Sequence, residues 1–203
     1  MKVLTRFLLS AVSPGHFPPS GLPEIAFLGR SNVGKSSLIN SLVKAKVAKT
    51  SNTPGRTQAI NFFEIRWPGR PRPELIFADL PGYGYARVPR EVTRTWPQFI
   101  EPYLAGRESL ALCLCLVDAN IPPQESDSQM ITYLREVGRP MLVVATKADR
   151  VGSRLHASIQ ALKKAHGVDN VLPFSAKSGQ GQEELWKRLR EMCSPNSARG
   201  ESA

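Results

Sequence analysis

Residues 29–36 read Gly29-Arg30-Ser31-Asn32-Val33-Gly34-Lys35-Ser36, a complete G-x-x-x-x-G-K-S string. The apolar segment Glu24-Ile25-Ala26-Phe27-Leu28 precedes it, and Ser37-Leu38-Ile39-Asn40-Ser41-Leu42-Val43, with helical spacing, follows it. Strand, loop and helix in that order are the setting in which this string becomes a phosphate-binding loop. Gly29 and Gly34 let the chain wrap so that successive backbone N–H groups point inward, and the new helix adds the positive end of its dipole. Lys35 is placed to reach β- and γ-phosphates, and the Ser36 hydroxyl to ligate Mg²⁺. A plain strand-to-helix turn would leave that lysine and hydroxyl unexplained. The string predicts a nucleoside triphosphate site.

Outward from this loop, apolar runs alternate with helix-period segments. Strands are expected at 24–29, 59–66, 74–80, 110–118, 141–146 and 170–175. Helices are expected at 36–44, within 90–105, and at 124–137, 153–166 and 181–193. Such alternation implies a mostly parallel sheet covered on both faces, a three-layer α/β/α fold. The link Trp67-Pro68-Gly69-Arg70-Pro71-Arg72-Pro73 is too short and Pro-rich for a crossover helix. It makes 59–66 and 74–80 a hairpin and puts one antiparallel strand into a six-stranded sheet. Ligands bind at the carboxyl ends of strands in such sheets, and the other motifs fall there.

Strand 74–78 runs into Asp79-Leu80-Pro81-Gly82. The aspartate can hold the Mg²⁺ water shell, and Gly82 lets its N–H approach a γ-phosphate. Strand 141–146 ends in Thr146-Lys147-Ala148-Asp149, similar to the guanine-reading N/T-K-x-D motif. The Asp149 carboxylate can accept the guanine N1–H and exocyclic amine, a donor pair that adenine lacks. Lys147 would lie over the base plane. Thr146 keeps a hydroxyl where asparagine, the commoner residue, has an amide. The next strand ends in Phe174-Ser175-Ala176-Lys177, where the Ala176 N–H is expected to bond guanine O6. Between the first helix and strand 59–66 lies a long polar loop, Ala45 to Gln58, containing Thr53-Pro54-Gly55-Arg56-Thr57-Gln58. Loops of that length are usually functional, and Thr57 is positioned to close on Mg²⁺ and the γ-phosphate; Thr53 is the competing candidate.

A 203-residue chain can bury one α/β core. Residues 1–21 read as an N-terminal docking segment and linker, 22–194 as the nucleotide-binding domain, and 195–203 as a disordered tail. No apolar run approaches the ~18 residues of a membrane span. The first twelve residues are interrupted by Thr5 and Arg6 and lack a cleavage signal, so no stable membrane insertion is expected. Cys113 and Cys115 alternate within an apolar run and read as small core residues in a reducing cytosol. The formal net charge of +10 exceeds what one nucleotide needs and points to a polyanionic partner, nucleic acid before anionic membrane.

Three strings together resemble the EngB (YihA/YsxC) family of bacterial GTPases: Gly29 to Asn40, Pro54-Gly55-Arg56-Thr57-Gln58 with Asn61-Phe62-Phe63, and Asp79-Leu80-Pro81-Gly82-Tyr83-Gly84-Tyr85-Ala86. The resemblance covers residues 22–193, and the Tyr-Gly-Tyr-Ala run is not demanded by phosphate chemistry in general. It implies a Ras-like fold and a cytoplasmic, monomeric GTPase that binds GTP and GDP. The implied role is in large ribosomal subunit assembly, with rRNA and ribosomal proteins as partners and a link to cell division and septation. It also implies Mg²⁺ held by Ser36 and Thr57, with Asp79 beside them. Lys35, Thr57, Gly82 and Asn32 are the residues expected to act on the γ-phosphate.

Two positions depart from the Ras pattern. Tyr83 stands where the water-orienting glutamine follows D-x-x-G, which implies slow intrinsic hydrolysis. Asn32 stands where Ras-type loops often carry glycine. In related bacterial GTPases such an asparagine helps hold K⁺, which implies hydrolysis stimulated by K⁺ or by the ribosome. The alternative is a loop brace. Pro97 and Pro102 fall within the expected helix at 90–105, so a break near Trp96 or a start at Pro97 is expected. Two other functions compete with the leading one: a P-loop kinase or ATPase, and a nucleotide-stabilised adaptor of the division apparatus with little turnover.

Overall fold

The computed structural model describes residues 3–19, 21–48, 59–83 and 100–193. The P-loop emerges from β2 (Glu24–Gly29), the middle strand of a seven-stranded sheet. The strands are β1 (Leu4–Ala11), β2, β3 (Ile60–Arg66), β4 (Leu75–Asp79), β5 (Leu110–Asp118), β6 (Met141–Thr146) and β7 (Val171–Pro173), in the spatial order β1-β3-β4-β2-β5-β6-β7. From β2 the chain goes first to one side of the sheet, then to the other. This puts the loop after β2 at the switch point, where doubly wound sheets bind ligands. The β3–β4 hairpin is present as expected, with Asn61 opposite Asp79, and β4, β2, β5, β6 and β7 are parallel.

The helices are α1 (Lys35–Val43), α2 (100–106), α3 (Glu125–Glu136), α4 (Leu155–His166) and α5 (Gln182–Cys193). They bury two separate cores against the sheet. Leu38, Ile39 and Leu42 of α1 and Leu185, Trp186 and Leu189 of α5 pack on one face with Phe27, Phe77 and Leu114. Tyr103, Ile131, Leu134 and Leu162 pack on the other with Leu28, Ala78, Cys113 and Cys115. Apolar side chains on both faces explain why the central strands read as continuous hydrophobic runs. Burial pushes the Cys113 thiol up to about 12, so it sits as a neutral core group.

Among the described residues the sheet has seven strands, one more than the six expected. The additional strand is β1, within the stretch 1–21 read as a docking segment and linker. It pairs antiparallel with β3, from Leu4 opposite Arg66 to Ala11 opposite Ile60, with a bulge between Phe7 and Leu9. Beyond it, Phe17 packs edge-on against Tyr103, and the Arg107 guanidinium lies 5.8 Å from the centre of the Phe17 ring while donating to the Pro18 carbonyl at 2.6 Å. Arg107, Tyr103 and Ser109 converge on the carboxylate of Glu24, which is fully buried. That hub ties the N-terminal segment and α2 to the base of the P-loop strand. The α2 residues include Pro102; Trp96, Pro97 and the rest of the expected break lie outside the described residues, as do Thr53, Gly55, Arg56, Thr57, Gln58 and the tail.

Candidate nucleotide-binding site

Gly34 closes the P-loop at φ 106° and hands over to α1, whose first residues are Lys35, Ser36 and Ser37. An L side chain rarely adopts that backbone conformation, so glycine is required there. Asn32 is also left-handed, at φ 62°, a conformation that asparagine tolerates better than most residues. That backbone is compatible with an asparagine where other loops carry glycine. The Lys35 ammonium pairs with the Asp79 carboxylate, bringing the loop lysine and the D-x-x-G aspartate together. A Cβ built on Gly82 would lie 2.6 Å from Ser31 Oγ and 3.1 Å from Ser31 N, so only glycine lets this segment close on the P-loop. The two segments are joined by Ser31 N donating to Tyr83 O and Tyr83 N donating to Gly29 O, each at 3.3 Å.

The Tyr83 side chain turns toward α3. Its hydroxyl donates to Asp127 Oδ1 at 3.1 Å, and Arg30 Nε lies 3.6 Å from Asp127 Oδ2. Asp127 is 2% exposed. Burial raises its carboxyl above the ordinary range, and the Arg30 charge and the Tyr83 hydrogen bond pull it back. The residue in the position of the catalytic glutamine is thus engaged with α3 and the P-loop arginine.

On the other side of Gly34 lies a cavity of about 340 Å³ lined by Gly34, Thr146, Lys147, Asp149, Ala176 and Lys177. The Thr146 hydroxyl lies 2.5 Å from Val33 O and 3.0 Å from Val117 O, so it braces the P-loop against β5 without the amide of the commoner asparagine. Lys147, at φ 58°, donates to Asn32 O at 2.8 Å and to Asp118 Oδ2 at 2.6 Å. Ser175 is fully buried and organises its turn, accepting Lys177 N at 3.2 Å and Ser178 N at 3.1 Å. Its own hydroxyl donates to Asp149 Oδ1 at 2.6 Å, which holds the exposed Asp149 carboxyl below its usual range. Ala148 N donates to Phe174 O at 3.1 Å and locks the two loops together. Asp149 is thus oriented and ionised beside a cavity with room for a base.

Asp118 and Asp127 were not singled out in the sequence. Asp118 carries a readable signal, an acidic residue closing an apolar strand at the same sheet edge as Asp79. Asp127 looks like an ordinary acidic residue in a first helical turn. The donor set Ser36 hydroxyl and Asp79 carboxylate is all oxygen and fits Mg²⁺, which takes few protein ligands alongside substrate phosphates. Among the described residues no group of three His, Cys, Asp or Glu could hold a metal by itself, and no helix is long and apolar enough to cross a membrane.

Residues 24–147 match the family described as "50S ribosome-binding GTPase". The "Probable GTP-binding protein EngB" of Koribacter versatilis is 62% identical over 94% of this chain and 95% of its own length. That of Acidobacterium capsulatum is 56% identical over 95% and 92%. A crystal structure of an EngB-type GTP-binding protein superposes with a TM-score of 0.65 at 25% identity, covering 84% of this chain and 98% of that one. Era, crystallised with MgGDPNP and a 16S ribosomal RNA fragment, is 24% identical with a TM-score of 0.70 over 91% of this chain and 60% of its own; that likeness speaks for the fold. The Ras-like P-loop fold and these two close relatives along nearly the whole length agree: this chain belongs to the EngB family of GTP-hydrolysing, GTP-binding proteins.

Proposed function

We propose that the chain is a guanine-nucleotide switch that engages the large ribosomal subunit during assembly in one nucleotide state and leaves it in the other, with cell division affected as a consequence. The observation that carries the guanine reading is the Ser175–Asp149 bond. It presents an ionised carboxylate at a cavity with room for a base, one loop away from Lys35 and Asp79. The ribosomal reading is supported by the description of the matched family and by the net charge of +10.

In this reading Asp149 accepts the guanine N1–H and amine, the Ala176 N–H meets O6, and the Lys147 stem covers the base. Backbone N–H groups of residues 30–35 and the Lys35 ammonium hold the phosphates. Ser36 and Thr57 ligate Mg²⁺ with Asp79 next to it, and Gly82 N–H senses the γ-phosphate. When bound, Mg²⁺ supplies charge neutralisation across the β- and γ-phosphates. Tyr83, engaged with Asp127, does not orient the attacking water, so hydrolysis is slow unless a cation or the ribosome supplies what glutamine does elsewhere. Asn32 is the residue proposed to meet K⁺. Hydrolysis that is equal in Na⁺ and K⁺, with and without large subunits, would exclude stimulation by either.

The deciding test is sucrose-gradient cosedimentation with large ribosomal subunits, in GDP and in a non-hydrolysable GTP analogue. Binding in the analogue and release in GDP is the expected result. Identical sedimentation in both, or none in either, would overturn the switch.

A further inference from the structure

Asp118 ends β5 at the nucleotide edge of the sheet, directly opposite Thr146 in the register of β5 with β6. Its carboxylate is 7% exposed and both oxygens are used. Oδ1 accepts Asn120 N at 2.9 Å and fixes the turn after the strand; Oδ2 accepts the Lys147 ammonium at 2.6 Å. Among the described residues it is the one carboxylate paired with Lys147. The same ammonium donates to Asn32 O at 2.8 Å, and Lys147 Cε lies 4.0 Å from where a Cβ on Gly34 would sit. The lysine stem is therefore drawn across Gly34 and anchored at its far end by one charge and one P-loop carbonyl. Without an anchor, a four-carbon ammonium side chain samples many rotamers and its head is drawn to water.

We propose that Asp118 is a positioning residue for base recognition: acting through Lys147, it holds the lysine stem as a fixed apolar wall against the guanine face and keeps the ammonium off the base. The inference rests on reading the 146–149 loop as the base site. Asp118 touches neither phosphate nor base in this arrangement, so its loss weakens nucleotide binding without changing the chemical step. A residue that only stabilises the fold would lower the melting temperature and leave no such signature.

The test compares the full chain with Asp118→Asn, Lys147→Met and the double variant, using GDP titration calorimetry, GTP turnover and thermal melting. Asparagine keeps the acceptor for Asn120 and the shape of the side chain. The double variant carries neither charge, so no buried ion is left unpaired. Asp118→Asn is expected to raise the GDP Kd and the GTP KM about tenfold, the size of one coupled contact. Its kcat at saturating GTP should stay within about twofold, and Asp118→Asn should add less than about twofold to the Lys147→Met variant. An unchanged GDP Kd in folded Asp118→Asn, or effects that simply add, would overturn the proposal while leaving the base site intact. If Lys147→Met itself leaves GDP binding unchanged, Lys147 does not cover the base, and both that part of the base reading and this proposal fail.

Discussion

On the base side of the pocket, Thr146, Ser175 and Lys147 join separate loops through side-chain hydrogen bonds of 2.5, 2.6 and 2.8 Å. On the phosphate side, the P-loop meets the Asp79–Tyr83 segment through backbone contacts of 3.3 Å and the ion pair Lys35–Asp79, and meets α3 through the ion pair Arg30–Asp127. The base half is braced by short bonds that a nucleotide has no reason to break. The phosphate half is held by charges for which, on the proposed reading, phosphate and Mg²⁺ would directly compete. Such a division suits a switch: base recognition stays constant, and the part that senses the γ-phosphate is the part whose contacts can be exchanged.

The largest effect is expected on the phosphate side. Lys35→Ala removes the cation proposed to meet the β- and γ-phosphates and leaves Asp79, only 5% exposed, without its partner. Phosphate release at saturating GTP should fall on the order of 10²–10³-fold, as when a charge-stabilising group is lost. A drop below about tenfold would show that this half does not work through charge. Next comes Asp149→Asn on the base side. The new amide donates where guanine also donates, so GDP should bind about 10²-fold more weakly, while xanthosine diphosphate, with an oxygen at that position, should gain. Calorimetry with both nucleotides reads the exchange. Equal losses for the two would mean that the carboxylate braces the loop without reading the base.

Tyr83→Phe separates structure from chemistry. The lost hydroxyl leaves the buried Asp127 with one partner fewer, a cost of about 1–3 kcal/mol. At roughly 2–4 °C per kcal/mol in a chain of this size, the melting temperature should drop by about 2–12 °C. Hydrolysis should stay within about threefold, because the side chain is turned toward α3. A large loss of turnover with little loss of stability would return Tyr83 to the catalytic machinery.

The base side was also the more legible in sequence. Thr146 to Asp149 and Ser175 to Lys177 each close an apolar strand, and local motif and sheet edge agree there, so β6 spans 141–146 as expected and β7 lies within two residues of the expected 170–175. What binds the phosphate side together is non-local. Asp127 meets Arg30 and Tyr83 from another helix, and no spacing rule announces that contact. Glu24, read only as part of the apolar segment before the P-loop, is a buried carboxylate held by Tyr103, Arg107 and Ser109. β1 escaped for a different reason. As an edge strand it leaves Leu4 and Phe7 about half exposed, and its bulge breaks the two-residue period by which strands are recognised.

The smallest effect separates both halves of the pocket from the far end of the fold. His166, at the end of α4, is 4% exposed; its Nδ1 lies 2.8 Å from Ser128 Oγ, and its Nε2 is buried with no hydrogen-bond partner. Arg135 donates to the His166 carbonyl at 3.1 Å. Burial lowers the imidazole pKa below 6.5, so the folded chain keeps it neutral where the unfolded chain already takes a proton. Between those two values the unfolded state binds more protons, so stability is full above pH 6.5 and falls as the pH drops toward the folded value. The melting temperature should therefore decline more from pH 8 to 5.5 in the natural chain than in His166→Gln, by about 1–3 °C. Over the same range GDP affinity should not follow it through Asp149. That carboxyl, held below its ordinary value of 3.8, stays ionised throughout. A GDP affinity that tracked the melting temperature would mean that the base loops do not keep their geometry independently of the α3–α4 contact.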